Sequence, residues 1–229
     1  MKQVDLLEIS KYIPDNIRLP SDFTLTSCSN SATFITSCFK LEIQGKVIYI
    51  DPYLLNSTIP ADYIFITHTH PDHFSPPDIE KIITKDTRII CPQYFVKVLS
   101  KYSIQKVKPG DFINLGDFKC EVVSAYNNWL PFHPKFLKYV GYVFTINGMR
   151  IYHAGDTDFI HEMKRLKDIT IALLPIGVGP LAMNPQQAAE AIKVIKPLIT
   201  IPMHYQIGKQ RAELFQKLVE NETKVIILE

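Results

Sequence analysis

The segment FITHTHPDHF places three histidines and an aspartate within six residues, directly after an apolar run. In an extended segment, residues two apart point to the same side, so His68 and His70 can present their imidazoles to one ion. Pro71 fixes its own backbone angle, and a turn there could aim Asp72 and His73 at a neighbouring ion. Zinc, manganese and iron(II) accept imidazole and carboxylate ligands, and open-position sites of this kind are typically catalytic.

Two other interpretations of this motif are a solvated loop that is rich in histidine by chance and a structural zinc site. Chance is a poor explanation, because four potential ligands fall within six residues at the end of one apolar segment. A structural zinc more often uses cysteine, and no cysteine is near. The four cysteines are far apart and form no CxxC pair, so we expect buried thiols in a reducing compartment.

Two later segments carry further candidate ligands. In IYHAGDTDF, Gly155 permits a sharp turn after a predicted strand, and the carboxylate of Asp156 could bridge two metal ions. In IPMHYQIG, His204 follows another buried strand. Each segment alone has an ordinary structural explanation, a Gly-Asp turn or a structural histidine. Together with the first motif, they favour a site for two metal ions.

These residues follow predicted strands of an α/β chain. Alternation, β-branched residues and turn signals predict strands at 23–29, 34–43, 46–51, 62–67, 87–92, 104–107, 112–115, 118–124, 139–146, 150–154, 170–176, 198–203 and 224–228. Helical spacing predicts helices at 76–85, 93–102, 159–166, 185–195 and 209–220. The first forty residues lack helical periodicity. The second half repeats the order of the first, which indicates two sheet-plus-helix layers in a single domain spanning residues 1–229.

The composition limits the kind of partner that the chain is expected to bind. The chain has 229 residues, of which 46% are hydrophobic, and a formal net charge of +2. Lys and Arg are scattered, so we expect no dedicated nucleic-acid-binding region, and a small-molecule substrate fits at least as well. No window approaches about 18 uninterrupted apolar residues. The N-terminus mixes acids and bases, so we expect a cytoplasmic protein with no membrane span or signal peptide.

In this order and spacing, the segments THTHPDH, HAGDTD and PMHY resemble the metallo-β-lactamase superfamily. They are most similar to its lactonase-like and phosphodiesterase-like metal-dependent hydrolases. The resemblance covers the chain from about residue 24 to its end. It implies a four-layer αββα sandwich of two mixed β-sheets flanked by helices, with the metal ions at the sheet edge between the two halves. One departure is the segment GVGPLAMN, which stands where relatives often carry a loop rich in glycine and threonine.

The resemblance also implies two groups of metal ligands. They are His68, His70 and His133 for the first ion, Asp72, His73 and His204 for the second, and Asp156 as the bridge. The assignment of His133 departs from the family's pattern, because the strand that should precede this ligand runs into Tyr126 and Asn127, and water could complete the site instead. Asp72 and Asp156 are the expected catalytic carboxylates, and Asp72 could also orient the attacking hydroxide.

Five further residues are expected around these ligands. Asp51 resembles the family's acidic residue near the first ligand and could accept the second N–H of a metal-bound imidazole, although it could also be a turn residue. His153 is expected to support the site or the core rather than to bind metal. Tyr126, Asn127 and Tyr205 are candidate contacts to the substrate or to an oxyanion, and each could instead serve packing.

Two ions about 3.5–4 Å apart would lower the pKa of a bridging water and supply hydroxide near neutral pH. The expected activity is therefore hydrolysis of a phosphodiester, a lactone or a related ester of a small molecule. Zinc is the expected metal, with manganese or iron as alternatives. The alternative functions are an RNA- or DNA-processing nuclease of the same superfamily and a non-catalytic metal-binding protein that retains the fold. The sequence leaves the substrate open, and it leaves open whether the chain forms a homo-oligomer.

Overall fold

Two seven-stranded β-sheets form the centre of the computed structural model, which describes residues 2–56, 58–93, 102–116, 118–129, 131–177, 179–208 and 210–228. The strands are β1 (Lys2–Gln3), β2 (Thr24–Ser27), β3 (Phe34–Ile35), β4 (Phe39–Ile43), β5 (Lys46–Ile50), β6 (Tyr63–Phe65), β7 (Arg88–Pro92), β8 (Ile104–Val107), β9 (Phe112–Asn114), β10 (Lys119–Ser124), β11 (Val140–Ile146), β12 (Met149–His153), β13 (Ile171–Pro175), β14 (Ile199–Met203), β15 (Tyr205–Gln206) and β16 (Lys224–Val225). The α-helices are α1 (Leu6–Ser10), α2 (Pro76–Ile82), α3 (Pro185–Ile195) and α4 (Arg211–Leu218).

The two sheets repeat one order of strand pairing. The first sheet runs β1-β2-β4-β5-β6-β7-β8, and the second runs β9-β10-β11-β12-β13-β14-β16. In each sheet the first three neighbouring pairs are antiparallel and the last three are parallel. The strand β6 ends three residues before His68, β12 ends three residues before Asp156, and β14 ends directly before His204. Ligands from both halves of the sequence can therefore meet at one edge of the sandwich.

The core lies between the two sheets. The Phe65 ring of the first sheet lies 4.9 Å from the rings of both Tyr142 and Phe144 in the second. All five residues of β13 and all five of β14 are buried, as expected for parallel strands that are covered on both faces. Full burial of each large apolar side chain contributes roughly 1.5–3 kcal/mol to folding. This packing makes the strand ends a rigid support for the site.

The helices cover the outer faces of the sheets. Ile79 and Ile82 of α2 are buried with Ile64 and Ile89 of the first sheet. α3 begins with a capping box between Asn184 and Gln187, in which each side chain accepts a hydrogen bond from the other residue's backbone N–H. Its buried alanines and isoleucines belong to the hydrophobic core that includes the second sheet. The predicted fold class, two mixed β-sheets with helices on the outside, is confirmed.

The structure corrects several predicted elements. The strand predicted at 34–43 is two strands, because β3 leaves the first sheet to pair with β15, 170 residues away at Tyr205↔Ile35. The helix predicted at 159–166 is a short 3₁₀ helix, His161–Arg165. The first forty residues do contain a helix, α1, whose five residues are too few to show a period and which Asp5 caps. The predicted helix at 93–102 lies almost entirely outside the described residues.

The outer face of the first sheet also brings two cysteines together. The sulfur atoms of Cys28 and Cys38 lie 2.7 Å apart, and all four cysteines are buried with free thiols. The cysteines are far apart along the sequence, so the sequence did not predict this neighbouring pair.

None of the helices in the described part of the chain is both long and apolar enough to cross a membrane.

Candidate metal centre

The histidine-rich segment forms a tight turn at the carboxyl end of β6. The backbone N–H groups of His73 and Phe74 both donate to the carbonyl oxygen of His70, at 3.0 and 2.9 Å. Pro71 lies inside this turn, and Asp72 follows it. The turn brings Asp72 and His73 back towards the sheet edge, where His68 is already held. One strand end thus supplies four of the seven candidate ligands.

His68, His70 and His133 form the first group of possible ligands, with one atom from each lying within 4.8 Å of the other two. Nε2 of His133 lies 3.1 Å from Nδ1 of His70. His133 comes from the segment between β10 and β11 and is buried. The sequence left open whether His133 or a water molecule completes the first group. The structure places His133 beside His68 and His70.

Asp72, His73 and His204 form the second group, again with ligand atoms within 4.8 Å of one another. Nε2 of His204 lies 3.1 Å from Oδ2 of Asp72. His204 follows β14 with a backbone φ of 55°, a left-handed conformation that few residues other than glycine adopt. This conformation turns the chain at the strand end, and strained residues of this kind cluster at functional sites.

Asp156 lies between the two groups. Its Oδ2 atom is 3.9 Å from Nε2 of His68 and 4.0 Å from Nε2 of His133, in the first group. The same atom is 3.4 Å from Nε2 of His204, and Oδ1 is 3.5 Å from Nε2 of His73, in the second group. One carboxylate thus faces imidazoles of both groups, which is the arrangement that a bridging ligand requires.

Gly155 is necessary for this placement of the carboxylate. Its φ of 66° is in the left-handed region, and an added Cβ would lie 2.9 Å from the backbone oxygen of Val140 and 3.2 Å from Cβ of Thr67. Any larger residue would be strained and would push the loop away from β11. The glycine of the HAGDTD segment therefore allows the chain to deliver Asp156 into the site.

The chemistry of these atoms fits a bound cation. Nε2 of His68, Nε2 of His73 and Oδ1 of Asp156 are buried and have no hydrogen-bond partner among the described residues. A buried polar atom without a partner costs roughly 1–3 kcal/mol, and native proteins contain few of them. Three such atoms at one point, with imidazole and carboxylate donors, fit divalent ions such as zinc, manganese or iron.

Asp51 and Thr67 orient the histidines from behind. Asp51 accepts hydrogen bonds from the Thr67 backbone N–H at 2.8 Å, the Thr67 hydroxyl at 2.6 Å and Nδ1 of His73 at 2.8 Å. Because the Thr67 hydroxyl donates to Asp51, its oxygen can accept from Nδ1 of His68, 2.9 Å away. Both imidazoles are left with Nε2 facing the cavity, as metal ligation requires. Asp51 contacts His73 of the second group directly and reaches His68 only through Thr67, a residue that the sequence analysis missed.

Burial sets the charge of the first group. It lowers the pKa of His68 well below its usual value and lowers the pKa of His133 to about 4, because it outweighs the opposing charge of Asp156. The positive charge of His73 acts in the same direction as burial. Burial also lowers the pKa of the half-buried His70. The three imidazoles are therefore neutral at neutral pH, which is the form that binds metal.

In the second group, charges outweigh burial. Burial would lower the pKa of His73, but the carboxylates of Asp156 and Asp51 raise it well above the usual value. Burial would raise the pKa values of Asp156 and Asp72, but the charges of His204 and His73 hold the pKa of Asp156 well below its usual range. The hydrogen bond from His204 and the charges of His73 and His204 hold the pKa of Asp72 at about 2. The second group thus contains ionised carboxylates, and their negative charge favours a bound cation.

His153 serves the core rather than either ligand group. Its Nε2 donates to the carbonyl oxygen of Ser37 at 2.8 Å, and its Nδ1 accepts from the backbone N–H of Gly155 at 3.2 Å. Both ring nitrogens are therefore occupied. His153 joins the first sheet to the turn that carries Asp156, and the supporting role expected from the sequence stays a prediction. His161 is exposed on its 3₁₀ helix.

The three candidate substrate contacts are buried. The Tyr126 hydroxyl donates to Glu162 at 2.8 Å and accepts from Lys135 Nζ at 3.2 Å. Asn127 is 5% exposed, and its amide contacts side chains of this chain. Tyr205 lies in β15 and is fully buried. This burial favours structural roles for all three residues over direct contact with a substrate.

Comparisons with known proteins agree with this geometry. A family model described as a beta-lactamase superfamily domain matches residues 33–204, a range that contains all seven candidate ligands. The chain is 34% identical over 205 residues to a UPF0173 metal-dependent hydrolase of Nanoarchaeum equitans, covering 84% of this chain and 93% of that protein.

Two solved structures share the architecture. A candidate metal-dependent hydrolase from Parabacteroides distasonis has a TM-score of 0.80 at 34% identity and covers 90% of this chain and 93% of that one. A metallo-β-lactamase fold protein from Bacillus subtilis has a TM-score of 0.70 at 12% identity, covers 89% and 94%, and supports the fold alone. The sequence match, the repeated sheets and the ligand groups together show that this chain belongs to the metallo-β-lactamase superfamily and, within it, to the UPF0173 metal-dependent hydrolases.

Proposed function

We propose that this chain hydrolyses a phosphodiester, a lactone or a related ester of a small molecule and uses two divalent metal ions, with zinc as the expected metal. The observation that carries the proposal is the position of Asp156. Its Oδ2 atom lies 3.9 Å from Nε2 of His68 in the first group and 3.4 Å from Nε2 of His204 in the second, and its Oδ1 atom lies 3.5 Å from Nε2 of His73. A shared carboxylate of this kind supports two neighbouring cation sites rather than one.

The chain would hold one ion with His68, His70 and His133 and the other with Asp72, His73 and His204. When bound, such ions activate water for attack and stabilise the negative charge that develops on the attacked atom. Asp51 and Thr67 hold the imidazoles in the required orientation, so little rearrangement is needed on binding. The protein's contribution is therefore a fixed set of imidazoles and ionised carboxylates at a buried sheet edge.

Asp72 is the ligand best placed to act on the attacking water. Its side chain is 37% exposed, whereas those of His68, His73 and Asp156 are almost fully buried. A pKa of about 2 keeps Asp72 ionised at neutral pH, so it can accept a hydrogen bond from a water molecule that enters from solvent. Asp72 would orient this water towards the substrate, and such positioning is a large part of hydrolytic catalysis.

The segment that carries His133 supports a substrate with an apolar part. Trp129, Phe132 and Phe136 are 91%, 45% and 72% exposed, so this segment offers aromatic surface to solvent within four residues of the ligand. Exposed apolar surface beside a candidate site is typical of ligand-binding grooves. The near balance of 25 basic and 23 acidic residues gives no support to a nuclease, whose long polyanionic substrate would need a basic surface.

The test is a panel of substrates with purified, zinc-loaded protein. The panel contains a chromogenic phosphodiester, a lactone, a thioester and carboxylic esters of short and long acyl chains, each assayed with wild type and with His73→Ala. We expect wild type to hydrolyse at least one class and His73→Ala to lose that activity. Absence of turnover across the whole panel by protein that holds two zinc ions would refute the proposal.

A further inference from the structure

The candidate ligand His133 lies further from the end of its preceding strand than His68 or His204 does. His68 and His204 each follow a buried strand within a few residues, whereas β10 ends at Ser124 and His133 comes nine residues later. A ligand in a connecting segment of this length needs contacts of its own to hold it, because such segments are more mobile than the strands they join. The hydrogen bonds around His133 show how its position is fixed.

Asn127 holds His133 at two points. The backbone N–H of Asn127 donates to the carbonyl oxygen of His133 at 2.9 Å, and Nδ1 of His133 lies 2.6 Å from Oδ1 of Asn127. An amide oxygen only accepts hydrogen bonds, so Nδ1 of His133 must carry the proton and donate it. Nε2 is then the unprotonated nitrogen, and it is the nitrogen that faces His70 and Asp156.

The orientation of the Asn127 amide is itself fixed. Its Nδ2 donates to Oδ1 of Asp158 at 3.1 Å and to the carbonyl oxygen of Leu181 at 3.1 Å. Both partners are acceptors, so they bind the NH₂ end of the amide and leave the oxygen end for His133. The second oxygen of Asp158 accepts from the backbone N–H of Asn128 at 2.7 Å. Both Asn127 and Asp158 are buried, which strengthens these bonds relative to the same bonds in water.

The same contacts join this segment to the strand end that delivers Asp156. Asp158 lies two residues after Asp156, and its backbone N–H donates to the carbonyl oxygen of Tyr126 at 3.0 Å. The Thr157 hydroxyl also donates to that oxygen, at 3.1 Å. The ligand His133 and the shared carboxylate are therefore held by one hydrogen-bonded unit. The second group has a different support, because His73 is backed by the carboxylate of Asp51.

We propose that Asn127, held by Asp158, is a positioning residue that fixes the tautomer and orientation of His133. It thereby sets the affinity of the first group for its metal ion and leaves the affinity of the second group unchanged. The inference rests on the proposed two-ion function. Residues that orient metal ligands in this way commonly change metal affinity by about 10–100-fold when they are removed. Because Asn127 contacts none of Asp72, His73 and His204 among the described contacts, the second ion should keep its affinity.

The experiment is a chelator competition on the full-length chain reconstituted with zinc, with both dissociation constants measured for wild type, Asn127→Ala and Asn128→Ala. Asn128→Ala is the matched control, because its side chain donates to the carbonyl oxygen of Phe159 at 3.3 Å rather than to His133. We expect Asn127→Ala to bind one ion about 10–100-fold more weakly and the other as wild type does. We expect Asn128→Ala to bind both ions as wild type does.

Cobalt(II) replacement adds a spectroscopic measurement. Loss of a histidine's orientation at one site should change the d–d absorption of that ion, and Asn128→Ala should leave the spectrum unchanged. Unchanged affinity for both ions in folded Asn127→Ala, or equal weakening of both, would overturn the proposal. If Asn127→Ala does not fold, Asp158→Asn replaces it, with a smaller loss expected at the same ion only. Wild type that binds two ions but hydrolyses nothing would refute the proposed function instead, since these readouts do not depend on turnover.

Discussion

Nδ1 of His73 donates to Oδ2 of Asp51 at 2.8 Å, and both side chains are fully buried. The same oxygen accepts the hydroxyl of Thr67 at 2.6 Å, and that hydroxyl lies 2.9 Å from Nδ1 of His68. One carboxylate is therefore hydrogen-bonded to a candidate ligand of the second group directly and to one of the first group through a threonine. Asp51 thus links the two candidate ligand groups through the Nδ1 atoms, which face away from the cavity.

This relationship makes Asp51→Asn and Thr67→Val an informative pair. Asp51→Asn keeps the size of the side chain but removes its charge, so we expect both ions to bind about 10–100-fold more weakly. Thr67→Val keeps the contact between Asp51 and His73, so we expect only the ion held by His68 to weaken. Chelator competition with zinc measures both effects. Wild-type affinity in Asp51→Asn would show that the carboxylate does not support the ligands.

The neutral, buried His153 predicts a pH dependence of stability. Burial lowers its pKa in the folded protein, while in the unfolded chain the pKa is about 6.5. Below that pH the unfolded state binds a proton that the folded state does not, so the free energy of unfolding falls as the pH falls. One such proton contributes at most about 1.4 kcal/mol per pH unit.

We therefore expect His153→Gln to lose less stability than wild type between about pH 7 and about pH 5. Glutamine can still donate to the carbonyl oxygen of Ser37 but does not titrate. Urea unfolding with excess EDTA, which keeps metal loss out of the comparison, measures the free energy at each pH. Parallel curves for the two proteins would show that His153 does not contribute to the pH dependence.

Replacing Trp129 should weaken substrate binding and leave the stability of the fold unchanged. It is 91% exposed, so Trp129→Ala should leave the unfolding temperature unchanged. If the aromatic surface beside His133 binds an apolar group of the substrate, KM for a long-chain ester should rise by roughly 5-fold while kcat stays constant. KM for a short-chain ester should not change. Phe112→Ala, which removes a 60% exposed ring on the edge strand β9, is the control.

An equal change in KM for long and short esters, or a fall in kcat alone, would contradict this role for Trp129. The same comparison can be made with Phe136→Ala, because Phe136 is 72% exposed in the same segment.

The positions of three candidate ligands at strand ends could be predicted from the sequence, for a physical reason. A buried parallel strand is an apolar run, and the polar residues that follow it must leave the sheet at its carboxyl edge. This reasoning applies to His68 after β6, Asp156 after β12 and His204 after β14. The structure places all three within 4 Å of a neighbouring candidate ligand.

Other features depend on contacts between distant parts of the chain, which local patterns do not contain. Thr67 is an ordinary strand residue in the sequence, and its hydroxyl gains a role only because Asp51, 16 residues earlier, lies beside it. The sequence left Asn127 as either a substrate contact or a packing residue, and it could not show that the Asn127 amide donates to Asp158 and Leu181. The break between β3 and β4 requires β15, whose position the local pattern at 34–43 could not show.

The number of divalent ions bound per chain tests the central claim most directly. Elemental analysis of zinc-reconstituted, desalted wild type and Asp156→Ala gives this number for each protein. The position of Asp156 between the two ligand groups predicts two zinc ions in wild type and one or none in Asp156→Ala. One ion or none in wild type, or two ions retained by Asp156→Ala, would contradict a centre in which this carboxylate joins two metal sites.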